Sequence, residues 1–268
     1  AAVPKVDRAL AAGIQRVVIV GNGVAGMTVA EALRDASAST EIDIVAGEPH
    51  HFYNRMALGR VVYNRQAMQG MYLLPESWYA EQRINVWLNT VAAAIRREER
   101  VLQLGTGETL PYDRLVLGTG PRLAFEKIPG LGPDGGHTHS VCNLEHAMET
   151  REAWDRFLEN PGPVVIGTAQ GGSCFGSSYE FLLNTHHRIK KAGLQDVAPV
   201  TFVTAEPFLG HFGLGGVSDS QQRVEKYFDR LGIEGIPNNV ITEVRDGEME
   251  LGDGRVLPFA FSMIVPPF

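Results

Sequence analysis

One thiol in this chain stands where a nucleotide would be expected. Cys174 closes the run Val164-Val165-Ile166-Gly167-Thr168-Ala169-Gln170-Gly171-Gly172-Ser173-Cys174, an apolar strand leading into a glycine-rich turn and then a helix. That is the strand–turn–helix frame of a dinucleotide-binding βαβ unit. Two residues spoil it for a nucleotide. Ala169 puts a methyl group where the middle glycine lets a pyrophosphate approach, and Cys174 falls in the first turn of the helix. The positive end of a helix favours thiolate over thiol, and thiolate is the form that attacks sulfur and leaves from it. A packed cysteine acting as a small hydrophobe is the plainer alternative, for Cys174 and for Cys142 alike.

An intact copy of the frame lies near the N-terminus. The apolar strand Arg16–Val20 runs into Gly21-Asn22-Gly23-Val24-Ala25-Gly26, and a helix follows with Met27, Ala30 and Leu33 at helical spacing. A second strand, 42–46, ends at Glu48, about twenty residues past the last glycine. Gly21 permits the tight turn, Gly23 lets the backbone approach a pyrophosphate, and Gly26 lets helix and sheet pack closely. Gly21, Gly23, Val24, Ala25 and Gly26 are therefore candidate cofactor contacts, and Glu48 is the candidate ribose acceptor.

The elements that position these groups read as α/β, with two Rossmann-like domains, parallel sheets and an inserted β-meander. A helical or loose lead is expected from Pro4 to Gly13. Short strands at 86–88, 101–104 and 115–117 suggest the meander and a return to the parallel sheet. The Gly- and Pro-rich stretch 121–140 reads as a crossover, 145–158 as a helix, 200–204 as a strand, 220–231 as a helix and 240–257 as a hairpin. The expected domains are 14–122 (dinucleotide-binding, with the meander), 123–160 (crossover and helix), 161–257 (second Rossmann-like domain) and 258–268 (start of a return to the first).

Composition narrows the function classes. The chain has 268 residues, 44% hydrophobic and 21% charged, enough to bury two cores. A net charge of −7 with no basic stripe argues against nucleic acid. Two cysteines make no disulfide framework. The His137/His139 and His186/His187 pairs lack a matching set of ligands, so no metal site is expected. No signal peptide or transmembrane run is recognisable.

Leu110-Pro111-Tyr112-Asp113-Arg114-Leu115-Val116-Leu117-Gly118-Thr119-Gly120 resembles the strand-to-loop signature of two-dinucleotide-domain flavoproteins. The resemblance implies FAD, with Thr119, Gly120 and Pro121 in the loop and Val91 offering its main chain to adenine. Phe52-Tyr53-Asn54-Arg55 resembles the segment in NADH-dependent nitrite and rubredoxin reductases whose arginine lies against the flavin.

From Tyr112 onward the resemblance narrows to sulfide:quinone oxidoreductase, with flavocytochrome c sulfide dehydrogenase as a relative. It is carried by 120–126, Ser140-Val141-Cys142, Glu145-His146-Ala147, Gly171-Gly172-Ser173-Cys174-Phe175-Gly176 with Tyr179-Glu180, Glu206-Pro207-Phe208-Leu209-Gly210-His211 and Val265-Pro266-Pro267-Phe268. It implies that Cys174 forms a persulfide and passes two electrons through FAD to quinone. It implies that Cys142 lies near the active site, and that His146 and His211 assist proton handling or sulfide entry. It also places a partner cysteine, a loop over the flavin and a membrane-seating amphipathic segment beyond Phe268. The expected enzyme is therefore peripheral to the cytoplasmic membrane, and this chain a fragment, a homo-oligomer or one completed by another chain. Two alternatives stay open: an NADH-dependent reductase in which Glu206 binds the ribose, and a non-catalytic FAD-binding subunit.

Overall fold

The computed structural model describes residues 13–268. It divides into two compact units, one of residues up to Asn54 with Gln69–Pro121, the other of Arg55–Met68 with Arg122–Phe268. The lead expected from Pro4 lies, but for Gly13, outside the described residues.

The first unit is built on a parallel sheet. Strands β1 (Arg16–Val20), β2 (Glu41–Val45), β3 (Ile84–Trp87) and β7 (Arg114–Leu117) stand in the order β3-β2-β1-β7. Val17, Val18 and Ile19 of β1 are buried, which is why that strand reads as a continuous apolar run; Ile42 and Ile44 of β2 are buried too, on either side of a buried Asp43. Helix α1 (Val24–Ala36) lays Met27 and Ala30 on this surface, against Val17, Ile19, Ile42 and Ile44. The other face meets an antiparallel meander of β4 (Ala92–Arg96), β5 (Val101–Leu104) and β6 (Thr109–Pro111), whose Leu102, Leu104 and Leu110 pack on Val18, Val20 and Val45.

The strand expected at 86–88 is β3, and it belongs to the parallel sheet, pairing Ile44 with Val86. The first strand of the meander is Ala92–Arg96 instead. Three of its five residues are alanine and most of it is exposed, so it carries neither the β-branched composition nor the alternation that marks a strand.

The second unit contains helix α2 (Leu58–Tyr63); the short helix α3 (Ser77–Glu81) belongs to the first. Its parallel sheet runs β10 (Glu234–Ile236), β9 (Val200–Thr204), β8 (Val164–Thr168), β14 (Phe261–Val265). Helices α4 (Leu144–Glu159), α5 (Phe175–Ala192) and α6 (Ser220–Leu231) accompany it. Asn143 caps α4 by accepting the His146 N–H, and Gly193 ends α5 at φ 71°. The stretch 240–257 is a three-stranded antiparallel sheet, β11 (Ile241–Arg245), β12 (Glu248–Leu251) and β13 (Val256–Pro258), rather than a hairpin.

Two boundaries differ from the sequence expectation. Arg55–Met68 groups with the second unit, where Val62 joins the Trp154 and Phe157 core. Residues 258–268, expected to begin a return to the first domain, supply β14, paired in parallel with β8 from Phe261↔Val164 to Val265↔Thr168. Aromatic packing holds it there: the Phe261 ring lies 5.4 Å from Trp154 and 5.7 Å from Phe157. An antiparallel excursion separates β14 from the sheet it completes, which hid the connection.

Candidate functional site

In the first unit the sheet order reverses at β1, between β2 on one side and β7 on the other, and ligands of open α/β sheets bind outside the strand ends at such a point. The glycine turn follows β1 there. Gly21 adopts φ 116°, and a Cβ on it would lie 2.1 Å from the Gly118 carbonyl oxygen. Gly23 differs: its φ is −95° and nothing lies within 4 Å of where its Cβ would be. Among the described residues no side chain caps α1, and Val24 is 72% exposed. An open cradle over an uncapped helix start fits a pyrophosphate.

The other expected contacts sit at the same carboxyl edge. Glu48 follows β2, and its Oε2 accepts a 2.6 Å hydrogen bond from the Tyr53 hydroxyl. Val91 follows β3, is 64% exposed, and its carbonyl accepts the Gly105 N–H at 2.7 Å. Thr119, Gly120 and Pro121 follow β7 and are exposed. Arg55 belongs to the second unit, where its Nη1 donates to the Cys142 carbonyl oxygen at 3.1 Å.

In the second unit Cys174 is exposed and stands at the N-cap of α5, one position before the first helical residue rather than inside the first turn. The turn before it is already engaged. Ala169 is buried and donates its N–H to Val265. Gln170 holds the Ile241 backbone from both sides, donating to its carbonyl at 2.8 Å and accepting its N–H at 3.0 Å. The Gly171 carbonyl accepts the Phe268 N–H.

Cys142 is half-buried; its N–H donates to the Ser140 hydroxyl at 3.2 Å. Burial pushes its thiol above the ordinary 9.0, the Ser140 hydroxyl and the Arg55 charge pull against that, and Cys174 adds to the rise. His146, in the first turn of α4, is 8% exposed; its ring meets Phe125 edge-on at 5.8 Å, Nε2 lies 3.9 Å from Asp134, and buried Nδ1 has no hydrogen-bond partner among the described residues. His211 accepts the Gly213 N–H at Nδ1 and stands edge-on to Phe208.

Glu206 corrects an expectation. At the end of β9 it was the candidate ribose acceptor of an NADH site, yet it is 1% exposed. Its carboxylate accepts hydrogen bonds from the Tyr179 hydroxyl (3.1 Å), the Thr204 hydroxyl (2.9 Å) and the Phe212 N–H (2.6 Å). Tyr179 as a partner went unread in the sequence. The signal was there in its spacing, five residues past Cys174 on the buried side of α5.

The family model for pyridine nucleotide-disulphide oxidoreductases matches residues 15–265. The sulfide-quinone reductase of Aquifex aeolicus is 32% identical over 263 residues, covering 95% of this chain and 59% of that protein. The X-ray structure of the sulfide:quinone oxidoreductase from that bacterium superposes with a TM-score of 0.82, over 95% of this chain and 59% of its own. The ferredoxin–NAD(+) reductase component of a biphenyl dioxygenase system from Paraburkholderia xenovorans is 30% identical over 182 residues, 67% of this chain and 43% of that one. The chain thus spans about three fifths of the first of these relatives, and less of the second.

Proposed function

The chain belongs to the pyridine nucleotide-disulphide oxidoreductase family, and from that premise we propose that it is the flavin- and thiol-bearing part of a sulfide-oxidising enzyme. Its cofactor is FAD. Gly21, Gly23, Val24, Ala25 and Gly26 hold the pyrophosphate, Glu48 the ribose, Val91 the adenine, and Thr119, Gly120 and Pro121 line the same edge. Bound there, FAD supplies the two-electron sink.

The single observation that carries the sulfur reading is an exposed thiol at the start of α5, in a turn whose nucleotide-facing groups are engaged within the chain. Hydrosulfide attacks an oxidised sulfur bridge that includes Cys174; a new S–S bond forms as the old one breaks, and the released thiolate is stabilised at the helix start. Cys142 stands by as a second thiol, and His146 and His211 handle protons. The acceptor is quinone, reached by peripheral contact with the cytoplasmic membrane; among the described residues no helix is long and apolar enough to cross one.

Anaerobic titration of the yellow chain with sulfide tests this. Bleaching of the oxidised-flavin band, lost in Cys174→Ser, is the expected result. Bleaching that survives C174S sinks the mechanism. Reduction by NADH alone favours the reductase reading that the ferredoxin–NAD(+) reductase relative keeps open. A flavin that neither reagent reduces leaves a binding subunit.

A further inference from the structure

Glu206 and Tyr179 stand apart from every group assigned above, yet they are buried, polar and both hydrogen-bonded to one loop. The Glu206 carboxylate accepts the Phe212 N–H, and the Tyr179 hydroxyl, which donates to Glu206, accepts the Gly210 N–H at 2.9 Å. His211 lies between the two residues so held. The loop needs holding. Phe212 adopts φ 54°, a left-handed conformation unusual for a side chain of its size. Gly210 turns at φ 82°, where a Cβ would lie 2.9 Å from the Ser220 carbonyl oxygen.

The same loop meets the helix that Cys174 caps. A Cβ on Gly213 would sit 3.0 Å from the ring of Phe175, the first residue of α5. Tyr179 is itself on α5, so its hydroxyl ties the loop to the helix one turn beyond the thiol. We propose that Glu206 and Tyr179 are positioning residues that fix His211 relative to Cys174, and that the acid at this strand end serves the loop instead of a nucleotide ribose. This rests on the sulfur reading of Cys174 and adds the device that sets the His211 loop in place. An imidazole that reached the thiol would favour the thiolate.

The test reads the thiol directly. The rate of iodoacetamide alkylation at Cys174, resolved by peptide mass spectrometry on the FAD-containing chain, is compared across variants. His211→Asn should slow it about threefold or more. Tyr179→Phe keeps the ring contact with Phe202 (4.5 Å) and removes only the hydroxyl; it should match H211N, and the double variant should be no slower than either. Glu206→Leu should behave likewise, while Glu206→Gln, still able to accept the Phe212 N–H, should restore the wild-type rate. A Y179F chain with wild-type reactivity overturns the proposal, whatever its melting temperature; so does an unchanged rate in H211N, or additive effects in the double variant. Because sulfide is not used, this result and the flavin-bleaching result can fail separately.

Discussion

Gly26 faces Gly21 so closely that a Cβ on Gly26 would lie 2.0 Å from the Gly21 carbonyl oxygen. Backbone is in the way, so the clash has no flexible side chain to absorb it. Gly26→Ala should destabilise the first unit by about 2 kcal/mol or more. Gly23→Ala should do something different. Its φ suits alanine and its Cβ meets nothing, so the melting temperature should hold while the flavin-to-protein absorbance ratio of the purified chain falls. A G23A chain that keeps its full flavin content would refute the cradle.

The two thiols should separate by pH. Cys174 is exposed, whereas burial raises Cys142 above its ordinary 9.0. Between roughly pH 7 and 8, iodoacetamide should label Cys174 at least about tenfold faster, and Cys142 should follow only as the pH passes about 9. The sign for stability follows. The folded chain holds the Cys142 proton more tightly than the unfolded one, so this contribution is present below 9.0 and is lost as pH rises towards the folded value. Equal labelling of both thiols at neutral pH contradicts the burial.

His139 makes an acid-side prediction. Burial, reinforced by the Arg156 charge, lowers it from 6.5 to about 4, and its ring lies 5.2 Å from Phe261. Unfolded chains take up a proton that the native chain refuses between these values. The stability from neutral His139 is therefore present above 6.5 and lost as pH falls towards 4. Relative to wild type, His139→Gln should melt lower at neutral pH by about 5 °C, with the gap closing near pH 4.5. A gap that is constant with pH would show that His139 packs without resisting protonation.

What the sequence disclosed was set by local chemistry. β1 and β8 are short apolar runs with glycine close by, β9 is a β-branched run between Pro199 and Pro207, and the helix ends at Gly193 and Gly232 follow from the backbone freedom a left-handed residue needs. The glycine turn was legible for the same reason. Glu206 was legible as an acid at a strand end, but its inward direction depends on Tyr179, Thr204 and Phe212, brought together only by folding. Likewise the contact of Arg55 with Cys142 joins residues 87 apart, beyond any local pattern.

Strand β14 has a consequence for how the second unit assembles. β8 needs β14 beside it, yet nearly the whole of that unit is synthesised before Phe261 emerges. Until then the aromatic surface of Trp154, Phe157 and Phe181 has no Phe261 to cover it, and one side of β8 presents unpaired backbone. A nascent chain paused short of this strand should be a chaperone client, and the emergence of β14 should convert a sticky intermediate into a completed sheet.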